Sequence, residues 1–262
     1  MARATSWLTG AANQGVISVA TIPGGAFNDF VFGTSESDFI SAGGGADTVI
    51  AGSGDDIIDG GAGDDMLNGG SGEDQVYGGE GDDLLLGGSG SDTLSGDEGD
   101  DTVLGGAGDD VMEGGAGDDL MVGGSGDDTL EGGTGDDRLE GGSGDDLLQG
   151  GAGDDLLYGG KGDDTIDGGA GDDVMFGGDG DDLFVFSGGG DVIMDFSDGD
   201  ILQIAGTLDG LSLEGAADVA GYAIDLGAEG TLIDFEQGDS ILLKGVSYEE
   251  ITADPEKFFT IV

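Results

Sequence analysis

The sequence predicts an all-β repeat protein, because a nine-residue pattern recurs without insertion along most of the chain. In twenty consecutive blocks, 24–203, the sixth residue is aspartate and the eighth is apolar. The three residues x-U-x, where U is the apolar residue, form a short strand that points U inward and its two neighbours outward. The alternative is a disordered acidic segment of low complexity, which gives no reason for apolar residues to recur at a single phase of nine.

Composition indicates cations as partners. The chain has 262 residues, of which 63 are glycine, 58 are acidic and 5 are basic, and its formal net charge is −53. Such a charge repels nucleic acids and anionic membrane surfaces and attracts cations. Histidine and cysteine are absent, which excludes disulfides and metal sites built on imidazole or thiolate. Hard cations that prefer oxygen ligands remain, with calcium foremost.

The fifteen central blocks, 51–185, follow the pattern G-G-x-G-x-D-x-U-x, and only Ala51 and Asp97 replace a glycine of the leading pair. This pattern resembles the RTX (repeats-in-toxin) nonapeptide, a calcium-binding repeat. The resemblance implies a right-handed parallel β-roll (a β-solenoid) of nonapeptide repeats, with two blocks per turn and calcium between successive turns. It also implies about 13–17 calcium ions, held and bridged by the position-six carboxylates of Asp47, Asp56, Asp65, Asp74, Asp83, Asp92, Asp101, Asp110, Asp119, Asp128, Asp137, Asp146, Asp155, Asp164, Asp173, Asp182 and Asp191.

Each position of the block has an expected physical role. Glycine permits the positive φ angles of a six-residue turn, G-G-x-G-x-D, whose carbonyl oxygens are aimed at a cation. Calcium takes about six to eight oxygens, so each ion needs two turns that are stacked on one another. The inward U side chains form one thin column, which buries too little apolar area to offset the chain entropy. We therefore expect the calcium-free chain to be unfolded.

Position five is also acidic in fourteen of the fifteen central blocks, and the exception is Ser91. These acids are either further calcium ligands or a solvated rim that keeps the roll soluble. The tolerance of the RTX family for other residues at this position favours the rim.

Alternate blocks are expected to form opposite sheets, and the outward residues of the two sheets differ. In the blocks that start at 51, 69 and so on to 159, the outward residues are mixed and mostly polar. In the blocks that start at 60, 78 and so on to 186, they are mostly apolar, with a charged interruption at Arg138 and Glu140. Either these short side chains remain exposed to water, or they form a contact surface that is covered by a second roll, the C-terminal segment or an external partner. We expect a contact surface. Its apolar ladder consists of Leu84, Leu86, Leu104, Leu120, Val122, Leu156, Tyr158, Val174 and Phe176.

The chain is expected to have four parts: an N-terminal segment (1–23), degenerate capping repeats with weak or absent calcium sites (24–50), the calcium-binding roll (51–194) and a β-rich C-terminal cap (195–262). Two pieces at 192–206 and 231–245 share D-F-x-x-G-D and predict paired strands around tight turns, with a further strand at GYAIDLG. Ser247 and Glu250 have the spacing of a capping box for a short helix, YEEIT. By the RTX resemblance, the cap carries an uncleaved signal for type I secretion.

No catalytic constellation is present in the sequence. Histidine and cysteine are absent, G-x-S-x-G never occurs, and only 23 residues precede the first block, so we expect no enzymatic activity. No segment has the length of a transmembrane helix or the apolar run of a cleaved secretory signal. The predicted function is that of a secreted protein, extracellular or at the cell surface, that folds on binding calcium and acts as a structural, self-assembling or adhesive component of the surface or matrix. The alternative is a calcium-dependent module that binds a sugar, ice or another surface without catalysis.

Overall fold

The computed structural model describes residues 20–204, 207–208, 211–235 and 239–262. Its main body is a parallel β-solenoid of about ten turns, which confirms the predicted fold class. The first twenty strands are β1 (Ala20–Gly25), β2 (Phe30–Phe32), β3 (Asp38–Gly44), β4 (Thr48–Ser53), β5 (Ile57–Ala62), β6 (Met66–Ser71), β7 (Gln75–Glu80), β8 (Leu84–Ser89), β9 (Thr93–Glu98), β10 (Thr102–Ala107), β11 (Val111–Ala116), β12 (Leu120–Ser125), β13 (Thr129–Thr134), β14 (Arg138–Ser143), β15 (Leu147–Ala152), β16 (Leu156–Lys161), β17 (Thr165–Ala170), β18 (Val174–Asp179), β19 (Leu183–Phe186) and β20 (Gly190–Ile193).

Two sheets face each other across the roll. The odd-numbered strands from β1 to β19 form the sheet that we call sheet A, and the even-numbered strands from β2 to β20 form sheet B. Neighbouring strands in each sheet are parallel, and their register is eighteen residues, as in the pairs Val111–Thr129 and Thr102–Leu120. Alternate blocks therefore build opposite sheets, as the sequence predicts.

The strands of the central blocks have six residues, not the three that the sequence predicts. β12, for example, runs from Leu120 through the glycine pair of the next block to Ser125. The ladder continues because the second glycine of the pair takes a positive φ, 119° at Gly115, and still pairs with its equivalent, Gly133. The predicted six-residue turn is therefore wrong, and only G-x-D connects consecutive strands.

The interior of the roll contains one apolar column. The eighth residue of every block from Ile40 to Leu202 is at most 1% exposed. From Gly60 to Gly177 the first glycine of each block is also buried and faces the interior, as the alternating burial of β13 shows. Since this glycine has no side chain, the space beside it is left for the aspartate of the same block.

The residues after β20 extend both sheets. Their elements are β21 (Ile201–Ile204), β22 (Thr207–Leu208), β23 (Leu211–Ser212), α1 (Ala216–Ala220), β24 (Ala223–Asp225), β25 (Thr231–Asp234), β26 (Ser240–Leu243), α2 (Tyr248–Ala253) and β27 (Phe259–Ile261), with 3-10 turns at Gly227–Glu229 and Pro255–Lys257. β21 and β27 continue sheet A in parallel. β26 continues sheet B in parallel, and β25 and β24 follow it in antiparallel order.

The two D-F-x-x-G-D pieces have different structures. The second lies between β25 and β26, which pair as an antiparallel hairpin as predicted, although residues 236–238 lie outside the described residues. The first lies between β20 and β21, which belong to different sheets. The prediction of paired strands is wrong there, because Asp200 and Leu202 still occupy positions six and eight of a block and the chain adds one more block to the roll.

Aromatic contacts join the cap to the last turns of the roll. Phe186 stacks on Phe235 with ring centroids 5.6 Å apart, and Phe184 lies 5.7 Å from Phe196. These contacts keep Phe184 and Phe186 at 0% and 1% exposure.

The predicted helix YEEIT is confirmed as α2. The Ser247 hydroxyl accepts the Glu250 backbone N–H at 3.3 Å, and the Ser247 backbone N–H donates to the Glu250 carboxylate at 3.2 Å, which forms the predicted capping box. Residues 1–19, most of the predicted N-terminal segment, lie outside the described residues. Within the part of the chain that is described, no helix has the length and apolar character needed to span a membrane.

Candidate metal centre

The position-six aspartates lie in the turns, and their side chains are buried. From Asp38 to Asp200 each is at most 4% exposed. They form two rows, one at each edge where the chain passes between the sheets, and successive members of a row are eighteen residues apart. The aspartates that the sequence predicts as ligands are therefore brought together along the roll.

From Asp47 to Asp200, one oxygen of each carboxylate accepts a backbone N–H of the preceding turn. Asp119 Oδ1 accepts the backbone N–H of Asp101 at 2.7 Å, and Asp137 Oδ1 accepts that of Asp119 at 2.8 Å. The same bond recurs from Asp47, which accepts from Asp29, to Asp200, which accepts from Asp182. The carboxylates thus fix the stacking of the turns.

In seventeen of the described aspartates, one carboxylate oxygen is buried without a hydrogen-bond donor. Such an oxygen is costly to bury as an anion unless a donor or a cation is beside it. The unpaired atoms are Oδ1 of Asp38 and Oδ2 of Asp47, Asp56, Asp65, Asp74, Asp83, Asp92, Asp101, Asp110, Asp119, Asp128, Asp137, Asp146, Asp155, Asp164, Asp173 and Asp182.

These unpaired oxygens point into small spaces that also contain a backbone carbonyl. A methyl group built on Gly60 would lie 2.6 Å from Asp65 Oδ2 and 2.6 Å from the carbonyl oxygen of Gly78. The same space over Gly114 is shared by Asp119 Oδ2 and the carbonyl oxygen of Gly132. A carboxylate oxygen that has no donor and lies beside a carbonyl oxygen suits a hard cation, and calcium binds this combination. The residues present therefore fit calcium.

The metal-free carboxyls have raised pKa values. Burial raises the pKa of Asp83 and Asp119 to about 7 and that of Asp191 to about 8. The backbone hydrogen bond to each carboxylate opposes this shift, and repulsion from the carboxylates of adjacent turns adds to it; at Asp119 these are Asp137 and Asp101. A cation beside the unpaired oxygen would relieve the same penalty.

Acidic side chains do not cluster at any one point of the roll. Among the residues that the structure describes, no three of them converge as a site of side chains alone. Each block instead contributes one buried carboxylate, and a glycine carbonyl oxygen lies beside it at Gly60 and Gly114. Backbone carbonyls are ordinary ligands of calcium, so this arrangement is consistent with a calcium site.

The position-five acids are exposed and have a separate role. Asp118 Oδ1 accepts the backbone N–H of Asp136 at 2.9 Å, and Asp100 Oδ1 accepts that of Asp118 at 3.0 Å. These carboxylates point toward solvent while they satisfy a backbone donor of the next turn. This geometry favours the solvated rim over further calcium ligands.

The ends of the aspartate rows differ from the centre. Asp38, which is not among the aspartates that the sequence predicts as ligands, has the unpaired Oδ1, while its Oδ2 accepts the Thr34 N–H at 2.6 Å. Asp191 is buried, and its Oδ1 accepts the Asp173 N–H at 3.1 Å. Asp200 uses both oxygens, for the N–H groups of Asp182 at 3.0 Å and Ser197 at 2.6 Å. The signal for Asp38 was its phase of nine, which the loss of glycines around it obscured.

A protein-family model described as the RTX calcium-binding nonapeptide repeat (4 copies) matches overlapping segments that together span residues 23–193. The chain belongs to the RTX calcium-binding nonapeptide-repeat family. RTX repeats bind calcium ions at multiple sites along the roll, and the roll is a structural calcium-binding domain. No curated protein matches the chain.

Among solved structures, the extracellular lipase LipA from Serratia marcescens matches at 20% sequence identity and a TM-score of 0.22. The match covers 89% of this chain and 40% of the lipase, so the chain spans well under half of that protein's length.

Proposed function

We propose that this RTX chain is a secreted, non-catalytic structural protein that folds when its position-six aspartates bind calcium and then self-associates through the outward face of sheet B. RTX repeat proteins are typically secreted, which supports the extracellular location. The proposed ligands are the predicted aspartates from Asp47 to Asp191, together with Asp38. The division into parts at residues 23, 50 and 194, and the type I secretion signal in the last part, remain predictions.

The row of unpaired oxygens is the observation that carries the calcium-dependent folding. Among the residues that the structure describes, seventeen buried carboxylate oxygens lack a donor, and the chain has a net charge of −53. Without cations, carboxylates of successive turns lie about 4.8 Å apart and repel one another. A chain that is exported where calcium is scarce and meets calcium outside the cell would therefore fold only after export.

The outward face of sheet B supports self-association. Residues of the apolar ladder are half-buried by their neighbours along the sheet, and Leu120 is 36% exposed. The face extends beyond the predicted ladder to Phe30 and Phe32 on β2, which are 62% and 54% exposed. The C-terminal strands lengthen the sheets instead of folding back over this face, so the described part of the cap does not cover it.

The size of this face suits a second copy of the chain. Sheet B has ten strands from β2 to β20, which at about 4.8 Å per strand give a strip of roughly 45 Å. With a width of about 13 Å for two outward side chains, two copies would bury roughly 1,200 Å² in total, the lower end of the range for specific interfaces.

Two measurements on the same calcium titration test this proposal. Far-UV circular dichroism reports folding, and sedimentation velocity reports association. We expect wild type to gain β-structure and then to sediment as an oligomer in millimolar calcium. The variant Leu84→Thr/Leu120→Thr/Val174→Thr keeps every ligand and should fold but sediment as a monomer.

A matched control lies on the opposite sheet. Ile57, Val111 and Leu147 are also outward aliphatic residues at position seven, but of sheet A. Their triple replacement by threonine should leave both folding and association unchanged. Full β-structure in chelator would refute calcium-dependent folding, and a monomeric wild type in millimolar calcium would refute self-association.

A further inference from the structure

We infer that two copies pack sheet B against sheet B with their rolls parallel, related by a twofold axis along the roll, so that Arg138 of each copy pairs with the partner's Glu140. This inference rests on the proposed self-association and specifies its geometry. The observation behind it is the position of the one charged pair within the apolar ladder.

Arg138 and Glu140 both point outward from β14, between the apolar rows of β12 and β16. Within the solenoid strands β1–β20 the only basic residues are Arg138 and Lys161. The position of one of them inside an apolar strip therefore indicates a specific contact. In the single copy, Arg138 Nη2 lies 3.7 Å from Glu140 Oε2, and the two side chains are 43% and 48% exposed. A pair that is this long and this exposed contributes little to the stability of the roll.

The symmetry of a face-to-face dimer decides which residues meet. A twofold axis along the roll places every strand of sheet B opposite the same strand of the partner and reverses the strand direction. Position seven then faces the partner's position nine, so Arg138 faces the partner's Glu140, twice per dimer. A twofold axis along the strands would place position seven opposite position seven. If that axis passes through β14, Arg138 faces the partner's Arg138 and Glu140 faces the partner's Glu140. If it passes elsewhere, each charge is buried against apolar side chains of the partner.

The aromatic residues fit the same arrangement. Tyr158 and Phe176, both at position nine, stack with centroids 4.6 Å apart and an interplanar angle of 12°. The Arg138 guanidinium lies 4.5 Å from the Tyr158 ring centroid, so the stack begins at the charged row. Position seven of the same two strands carries the shorter Leu156 and Val174. The axis along the roll therefore seats the aromatic ridge of one copy on the lower aliphatic row of the partner.

Exchange of the two charges tests the geometry. Arg138→Glu and Glu140→Arg each place like charges across the axis, and we expect each to raise the dimer dissociation constant by about 100-fold or more. The double variant Arg138→Glu/Glu140→Arg restores opposite charges and should return the constant to within about threefold of wild type. Sedimentation velocity in millimolar calcium measures association, and circular dichroism verifies that every variant is folded.

A second measurement reports whether the rolls are parallel. The chain has no cysteine, so a spin label on Ser53→Cys, at the exposed end of β4, reports one distance between copies. Parallel rolls place the two labels about 25 Å apart, whereas antiparallel rolls centred on β14 place them about 50 Å apart.

The outcomes separate this inference from the proposed function. A wild type that stays monomeric in calcium overturns both the self-association and its geometry. If wild type associates and the single charge variants associate equally well, only the inferred geometry is overturned. The same holds if wild type associates and the double variant has a dissociation constant as high as those of the single variants. A label distance near 50 Å would do the same.

Discussion

Asp118 and Asp119 are adjacent in one turn, yet their replacement by asparagine should have unequal effects. Asp119 is 3% exposed, and its Oδ2 has no donor. Asp118 is exposed and accepts one backbone hydrogen bond, from Asp136. Asparagine preserves the size and one acceptor oxygen at either position and removes the charge. Asp119→Asn should therefore weaken calcium binding more than Asp118→Asn does.

The expected magnitude follows from the number of linked sites. Removal of one charged partner from a buried ionic contact costs about 4 kcal/mol. If about fifteen ions bind in one cooperative folding transition, this cost is divided among them, and the calcium midpoint rises by about 1.6-fold. For Asp118→Asn the loss is at most about 1 kcal/mol, which raises the midpoint by about 1.1-fold by the same division.

Calcium titration by far-UV circular dichroism measures the two midpoints, and isothermal titration calorimetry counts the bound ions. We expect Asp119→Asn to bind about one or two ions fewer than wild type and Asp118→Asn to bind the same number. Equal shifts for the two variants, or an unchanged midpoint and ion count for Asp119→Asn, would refute the assignment of position six as the ligand and position five as the rim.

Three further predictions concern pH, glycine and the cap. Burial raises the pKa of Asp119 to about 7 and that of Asp191 to about 8, above the 3.8 of an exposed carboxyl. The folded metal-free chain therefore binds these protons more tightly than the unfolded chain. β-structure in chelator should increase as the pH falls from 8 to 5, and unchanged spectra would contradict this. Gly117 has φ 135°, and a Cβ on it would collide with the Gly99 carbonyl, whereas a Cβ on Gly215 would enter open space. Gly117→Ala should therefore lower the melting temperature in calcium by several degrees, and Gly215→Ala should leave it unchanged. Equal melting temperatures for the two variants would contradict this. A chain ending at Phe186 loses the strands that continue both sheets and exposes Phe186, so calcium-induced folding should be lost or require several-fold more calcium; an unchanged titration would show that the cap is dispensable.

Most of the roll could be predicted from the sequence, because each side chain must recur every nine residues to keep its place inside or outside the roll. Asp119 and Met121 were placed by phase alone, and the structure buries both. The strand length was underestimated because glycine is a turn residue by propensity, whereas Gly115 keeps its place in the ladder at a positive φ. Asp38 was not predicted as a ligand because its block has lost the glycine pattern.

The cap was less predictable because its elements depend on partners that are distant in the chain. The capping box of Ser247 is a local signal and was found. β27, in contrast, exists as a strand because it pairs with β21, more than fifty residues earlier. α1 was not predicted, since it has only five residues and its first turn lacks a side-chain cap.

The assignment of alternate blocks to opposite sheets limits how such a chain can change length. Insertion or deletion of eighteen residues adds or removes one full turn and leaves every later residue on its own side. Insertion or deletion of nine residues preserves the phase of each aspartate and each core residue, yet moves all later outward residues to the other sheet. Duplication of any whole number of blocks thus preserves the metal sites. Only duplication of an even number of blocks also keeps the later outward residues on their own sheet, so the composition of the two surfaces is preserved only when blocks are added or lost in pairs.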